Sequence, residues 1–239
     1  MIIGGKNSVL EALKSNQTIN RVWIAMSSKD KFCEQIVDLC KQKHVRFDFV
    51  DKKVVDRHCV NNQGVVADVT DFKYCALQDV LTENPNLFLV VLDGIEDPHN
   101  FGSIIRVCEC AGVDGVIISA RRCVQVNNTV FKTSAGALNH VKIAKVGNLN
   151  DAIKTLKANN VWVFGAEANG KSVFEANLTG RIAIVVGSEG NGISHLTTKL
   201  CDEIVSLPLY GKVNSLNVSC ATSAVVYEAL RQRGANSKG

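Results

Sequence analysis

The sequence predicts an α/β protein in two units, a small α/β unit at the N-terminus and a larger one built on a parallel sheet. Three observations predict it. Short, unbroken apolar runs at 87–92, 115–119, 161–164, 182–186 and 204–207 read as parallel strands buried on both faces. Segments with helical apolar spacing alternate with strand-like segments along the chain. A polar stretch containing Pro85 interrupts this alternation and marks a connection at 72–86. The expected domains are therefore 1–71 and 87–239.

Residues 7–14 read as a helix in which Ser8 and Glu11 have the spacing of a capping box. A strand at 21–26 follows. Over 29–43, Phe32, Cys33, Ile36, Val37, Leu39 and Cys40 fall mostly on one side of a helix. A strand at 45–50, a short helix from Lys52 and a strand at 64–69 complete the first unit. The connection carries one weak helical signal at 76–81. In the second unit, strand 87–92 leads to a helix at 100–111, which Asp97 and Pro98 are placed to start. Strand 115–119 is followed by the segment hardest to read, 121–146, with a helix near 128–137 and a strand at 141–146. A helix at 149–158 and the three remaining strands lead to a last helix at 217–233. Its Val218, Ala221, Thr222, Val225 and Ala229 recur at helical spacing and make a small-residue face suited to tight packing.

Composition excludes several classes. Of 239 residues, 46% are hydrophobic and 21% charged, which suits a packed core and not a disordered or fibrous chain. No apolar run approaches the roughly 18 to 20 residues that cross a bilayer. The start lacks the pattern of a signal peptide, so the expected location is the cytoplasm. Nine cysteines, an odd number without a secretion signal, are expected as reduced thiols. No Cys-x-x-Cys occurs, and Cys108 and Cys110 would point to two sides of one helix, so no metal is expected. The formal net charge of +4 permits a nucleic-acid partner, but no basic block argues for one.

Open parallel sheets bind ligands at the carboxyl ends of their strands, which directs attention to three turns. Strand 87–92 is followed by Asp97-Pro98-His99-Asn100-Phe101-Gly102 and, six residues after Asn100, Arg106. Strand 182–186 is followed by Gly187-Ser188-Glu189-Gly190-Asn191-Gly192, which has neither the dinucleotide nor the P-loop spacing. Strand 204–207 is followed by Pro208, Gly211 and Ser215-Leu216-Asn217-Val218-Ser219. Singly, each turn also fits a structural role, with Asp97, Asn100, Ser215 or Asn217 as helix caps. Three polar, glycine-bearing turns on one sheet edge point instead to a ligand site.

Together and in this order, the three segments resemble the motifs of the SpoU (TrmH-like) RNA 2′-O-methyltransferases of the SPOUT class. Residues Ile3 to Leu13 and Gln63-Gly64-Val65-Val66-Ala67 are similar to that family's N-terminal RNA-binding domain, a ribosomal-protein-like fold. Nearly the whole chain is covered. Two positions depart from the pattern: Asn62 stands where a His is common, and Cys108 where a small Ala is usual.

The resemblance implies a deep C-terminal trefoil knot and S-adenosylmethionine held by the backbone around Gly187, Leu207 and Leu216. It implies methyl transfer to a ribose 2′-oxygen, with Asn100, Arg106, Glu189, Ser215 and Asn217 at active-site positions. Arg106 is expected to contact RNA phosphate and the reacting ribose, oriented by Glu189 and Asn100. A guanidinium, with a free pKa above about 12, is a poor general base, so its expected role is electrostatic. The resemblance also implies a homodimer with the active site at its two-fold interface. Among subgroups, the chain is most similar to bacterial enzymes that methylate a guanosine of 23S rRNA in the peptidyl-transferase centre. A tRNA ribose methyltransferase would share the catalytic residues and differ in the recognition surface. An inactive RNA-binding protein of the same fold would not need all five polar positions.

Overall fold

The computed structural model describes residues 1–14, 18–28 and 30–234. From the N-terminus run β1 (Ile2–Gly4), α1 (Lys6–Lys14), β2 (Ile19–Ala25), α2 (Lys31–Gln42), β3 (Phe47–Val50), α3 (Lys52–His58) and β4 (Val65–Val69). Then follow β5 (Phe88–Asp93), α4 (Pro98–Cys110), β6 (Gly115–Ser119), α5 (Asn128–Thr133), β7 (Ile143–Val146), α6 (Leu149–Ala158) and β8 (Trp162–Ser172). The chain ends with β9 (Ile182–Gly187), α7 (His195–Leu200), β10 (Glu203–Ser206) and α8 (Val218–Gln232). It divides into two compact units, Met1–Lys73 with Val126–His140, and Tyr74–Gln125 with Val141–Gly239.

The first unit has a four-stranded sheet in the order β1-β4-β2-β3, antiparallel except for the β2–β3 pair. Val9, Leu10, Ala12 and Leu13 of α1 and Cys33, Ile36 and Cys40 of α2 are buried, as their helical spacing requires. The expected capping box is not formed. Helix α1 begins two residues before Ser8, because the carbonyl of Gly5 (φ +104°) already accepts the N–H of Val9 at 3.0 Å. Helix α2 is capped by Asp30, whose carboxylate accepts the N–H of Cys33 at 3.1 Å; the expected start at Lys29 lies outside the described residues.

The turn before β4 gives Asn62 a structural role. Asn61, Gln63 and Gly64 all have positive φ, a costly conformation for the first two. Asn62 is buried among them. Its Nδ2 donates to Asp56 Oδ1 at 2.8 Å and to the carbonyl of Cys59 at 2.7 Å, and its Oδ1 accepts the N–H of Gly64 at 2.7 Å. One side-chain amide thus offsets the backbone cost of the turn, a role that needs both a donor and an acceptor.

The second unit carries a six-stranded sheet in the order β10-β8-β9-β5-β6-β7, parallel throughout. Every residue of β5, β6 and β9 is buried, as their unbroken apolar runs demanded. Leu149, Ala152, Ile153 and Leu156 of α6 pack with Leu89, Val91, Ala183 and Val185. Helices α4 and α8 pack against each other, with α4 against β6 and α8 against β9. Strand β10 lies at the sheet edge while α8 packs on α4, so the chain returns across β8 and β9, an arrangement consistent with a C-terminal trefoil knot.

Strand β8 continues eight residues beyond its predicted end. Its pairing with β10 jumps from Gly165 to Lys171, so Ala166 to Gly170 bulge out of register and carry polar residues a buried strand would not hold. No cysteine is in a disulfide. Cys108 is buried and Cys110 exposed, the two-sided placement expected for that pair. Burial pushes the Cys123 and Cys201 thiols up to about 12, which keeps them protonated and poor ligands or nucleophiles. Among the described residues no group of His, Cys, Asp and Glu could hold a metal ion, and no helix is long and apolar enough to cross a membrane.

Candidate active site

Because every strand of the larger sheet runs the same way, the loops after β5, β9 and β10 open on one edge. The β5 loop ends at Asp97, whose carboxylate accepts the N–H groups of His99 (3.3 Å) and Asn100 (3.0 Å) and so starts α4. That cap places Asn100 in the first turn, 8% exposed. Asn217 is the N-cap of α8, with its Oδ1 accepting the N–H of Ser219 at 2.9 Å. Its own Nδ2 is left to point away from the helix.

The β9 loop is folded back on itself. Ser188 and Gly192 exchange backbone hydrogen bonds of 3.1 and 2.9 Å. A Cβ on Gly187 would stand 2.0 Å from the carbonyl carbon of Gly192 and 2.1 Å from the nitrogen of Ile193, so only glycine permits the close approach. Glu167, in the bulge of β8, accepts the N–H of Ile193, and Asp93 Oδ2 accepts that of Ser194 at 2.8 Å. These two carboxylates tie the loop to the bulge of β8 and the end of β5.

Glu189, at the tip of this loop, collects the other two motifs. Its Oε1 accepts Asn100 Nδ2 at 2.9 Å and Asn217 Nδ2 at 2.6 Å. Asn217 Nδ2 also reaches Asn100 Oδ1 at 3.0 Å. Hydrogen bonds to an ionised acceptor are roughly twice as strong as neutral ones, so one carboxylate holds the first turns of α4 and α8 in fixed relation.

Two clefts meet at this cluster. The first, about 240 Å³, is lined by Gly187, Leu207, Ser215 and Leu216 together with apolar Val205 and Val225. The second, about 510 Å³, is lined by Asp93, Glu96, Asp97, Asn100 and Arg122 among others. Ser188, Glu189, Gly192 and Val218 line both. The structure therefore brings together Asn100, Glu189 and Asn217, and places Gly187, Leu207, Leu216 and Ser215 in one cleft beside them.

Arg106 stands apart. It is exposed on α4 and, among the described residues, its side chain makes no hydrogen bond or ion pair. Six residues at 100° each put it about a third of a turn away from Asn100 around the helix. The expected orientation of Arg106 by Glu189 and Asn100 is corrected accordingly: within this chain the Glu189 oxygen and the Asn100 amide are engaged with each other and with Asn217. Sequence reasoning also missed Glu167 and Arg122. Arg122 follows β6 at the same carboxyl edge, where the rule that found the other three turns applies equally. Glu167 was hidden because its strand was read as ending at Phe164.

The first cleft suits a cationic sulfonium nucleoside. Its walls are apolar side chains, its floor is backbone freed by Gly187, and the carboxylates of Glu167 and Glu189 face a positive group.

Residues 87–227 match the model of the SpoU rRNA Methylase family, and residues 2–75 match that of the RNA 2′-O ribose methyltransferase substrate-binding domain. The Bacillus subtilis protein YacO, named for the TrmH family of tRNA/rRNA methyltransferases, is 37% identical over 236 residues, covering 96% of this chain and 94% of its own. The fold matches that of the SpoU methyltransferase AviRb from Streptomyces viridochromogenes, solved in complex with AdoMet, with a TM-score of 0.87, 21% identity and coverage of 99% and 91%. It also matches an AdoMet-bound rRNA methyltransferase from Sinorhizobium meliloti, with a TM-score of 0.81, 23% identity and coverage of 97% and 87%. A family model matching residues 87–227, which hold all six strands of the parallel sheet, joined to three motif turns that converge on one carboxylate, means that the chain belongs to the SpoU rRNA methylase family.

Proposed function

We propose that this protein transfers the methyl group of S-adenosylmethionine to a ribose 2′-hydroxyl of RNA, the acceptor being a guanosine of 23S rRNA in the peptidyl-transferase region. The observation that carries the reading is the Asn100–Glu189–Asn217 cluster at the junction of an apolar cleft and a polar one. Such a junction is what in-line transfer between two bound molecules needs. Bound in the apolar cleft against Gly187, Leu207 and Leu216, S-adenosylmethionine supplies an electrophilic methyl group. The chain's own residues do the rest. Asn100 and Asn217 fix the Glu189 carboxylate, which orients the 2′-hydroxyl toward the apolar cleft and takes its proton as the oxygen bonds the methyl carbon and the sulfur–methyl bond breaks. Ser215, exposed on the cleft wall, adds a hydroxyl within the same junction.

Arg106 enters this scheme through a second copy of the chain. Exposed on α4 and, among the described residues, without a side-chain partner, it serves as the RNA-phosphate contact of the partner's site in a homodimer, where its charge favours a developing alkoxide. Residues 1–71 form the RNA substrate-binding domain, consistent with the family match over 2–75. The reaction takes place in the cytoplasm.

The deciding experiment incubates the protein with methyl-labelled S-adenosylmethionine and, separately, unmodified 23S rRNA and tRNA. Label at a single 23S guanosine 2′-oxygen is the expected result. Label in tRNA alone would overturn the target, and label in neither would overturn the reading. Subunit sharing has its own test. Arg106→Ala and Glu189→Ala, each inactive alone, should regain about a quarter of wild-type turnover when mixed, because half the dimers are mixed and one of their two sites is intact. No recovery after verified subunit exchange would place Arg106 in the site of its own chain or in none.

A further inference from the structure

The polar cleft beside the cluster is a poor environment for a polyanion. Asp93, Glu96, Asp97 and Glu189 all line it, whereas RNA brings a negative charge with every phosphate. Of the residues lining this cleft, Arg122 alone is basic. Its side chain is exposed and, among the described residues, makes no hydrogen bond or ion pair, so its donors are free for a ligand.

The placement of Arg122 is built into the fold. Just after β6, Ser119 Oγ accepts the N–H of Arg121 at 3.3 Å. Cys123 is buried, and Val124 donates its N–H to the carbonyl of Ile95 at 2.8 Å. This ties the segment to the loop preceding α4. Gly94 (φ +80°) lies between neighbours: a Cβ there would be 3.7 Å from Ser188 Cβ and 4.0 Å from the Arg122 carbonyl. Three loops thus close around the cleft, and one of them presents a guanidinium to it.

We propose that Arg122 binds a phosphate of the RNA next to the acceptor ribose and thereby sets the 2′-hydroxyl against the Asn100–Glu189–Asn217 cluster. The assignment rests on the RNA methyltransferase reading above. It gives each chain its own phosphate anchor on the acceptor side. The planar fork of Arg122 matches two phosphate oxygens at once, which fixes orientation as well as distance.

The test compares wild type with Arg122→Ala and Arg122→Lys in equilibrium binding to unmodified 23S rRNA and tRNA transcripts across a salt series, and in steady-state methylation. Arg122→Ala should bind the transcript that the wild type binds about ten-fold more weakly, with a salt slope shallower by about one phosphate contact. KM for RNA should rise and kcat should fall about ten-fold as the acceptor ribose loses its orientation, while S-adenosylmethionine affinity and melting temperature stay unchanged. Arg122→Lys should restore the slope but only part of the affinity, since it keeps the charge and loses the fork. Wild-type affinity and slope in Arg122→Ala would overturn the proposal, as would a loss that lysine does not relieve and that comes with a lower melting temperature. A wild type that binds RNA but transfers no methyl group would refute the methyltransferase reading, and the binding series would still decide the role of Arg122.

Discussion

Replacing Gly187 by alanine is expected to abolish measurable S-adenosylmethionine binding and to lower the melting temperature by about 10 °C. The added methyl would stand about 2 Å from backbone atoms of Gly192 and Ile193, which cannot swing aside as the end of a side chain can. Those atoms are held by the Ser188–Gly192 hydrogen bonds and by Glu167. Forcing one carbon into so close a contact costs roughly 3 kcal/mol, which for a unit of this size corresponds to about 10 °C. The relief available is a shift of the whole 188–193 loop, and that loop is both the rim of the apolar cleft and the support of Glu189. Calorimetric titration with S-adenosylmethionine and a thermal melt together read the result. Gly190→Ala is the control, because a Cβ there meets nothing within 4 Å, and it should bind and melt like wild type. If Gly187→Ala did the same, the loop would not form the cofactor cleft.

Glu189→Gln should lower kcat about 100-fold while changing the melting temperature little, since Glu189 is exposed at the loop tip. Glutamine keeps the length of the side chain and one acceptor oxygen. It removes the charge that makes the Asn100 and Asn217 hydrogen bonds strong, and with it the anionic acceptor for the ribose hydroxyl. Positioned proton acceptors typically contribute 10²–10⁴ in rate. RNA affinity should stay close to wild type and S-adenosylmethionine affinity should fall only a few-fold through the lost charge, which separates loss of chemistry from loss of binding. A kcat within about five-fold of wild type would reduce the cluster to a brace between α4 and α8.

Much of this architecture was legible in the sequence. The apolar runs of β5, β6 and β9 had no polar alternation, and each is buried on both faces. Helix α6 was read to the residue because Asn148 caps it and its apolar face is regular. Where reading failed, tertiary contacts had replaced local signals. Helix α7 has only six residues, two of them threonine and only Thr197 buried. It is held by Ser194 Oγ and Asn150 rather than by an apolar stripe, so periodicity could not reveal it. The extension of β8 carries Glu167 and Asn169 and exists because β10 pairs with it across a register jump. Ser8 and Glu11 had the right spacing for a cap, but Gly5 started the helix first.

The sequence by itself determined a parallel sheet, the three turns at its carboxyl edge and the residue types they carry, because apolar runs, caps and glycines act within a few positions along the chain. Only the tertiary structure decided which of those side chains meet. Asn100 and Glu189 are 89 residues apart, Asn100 and Asn217 are 117 apart, and no local pattern says that Glu189 would bind both amides and leave Arg106 outside. The same holds for Arg122 and Glu167: each is an ordinary surface residue to its neighbours in sequence, and becomes part of a cleft only through strands and loops that arrive from elsewhere in the chain.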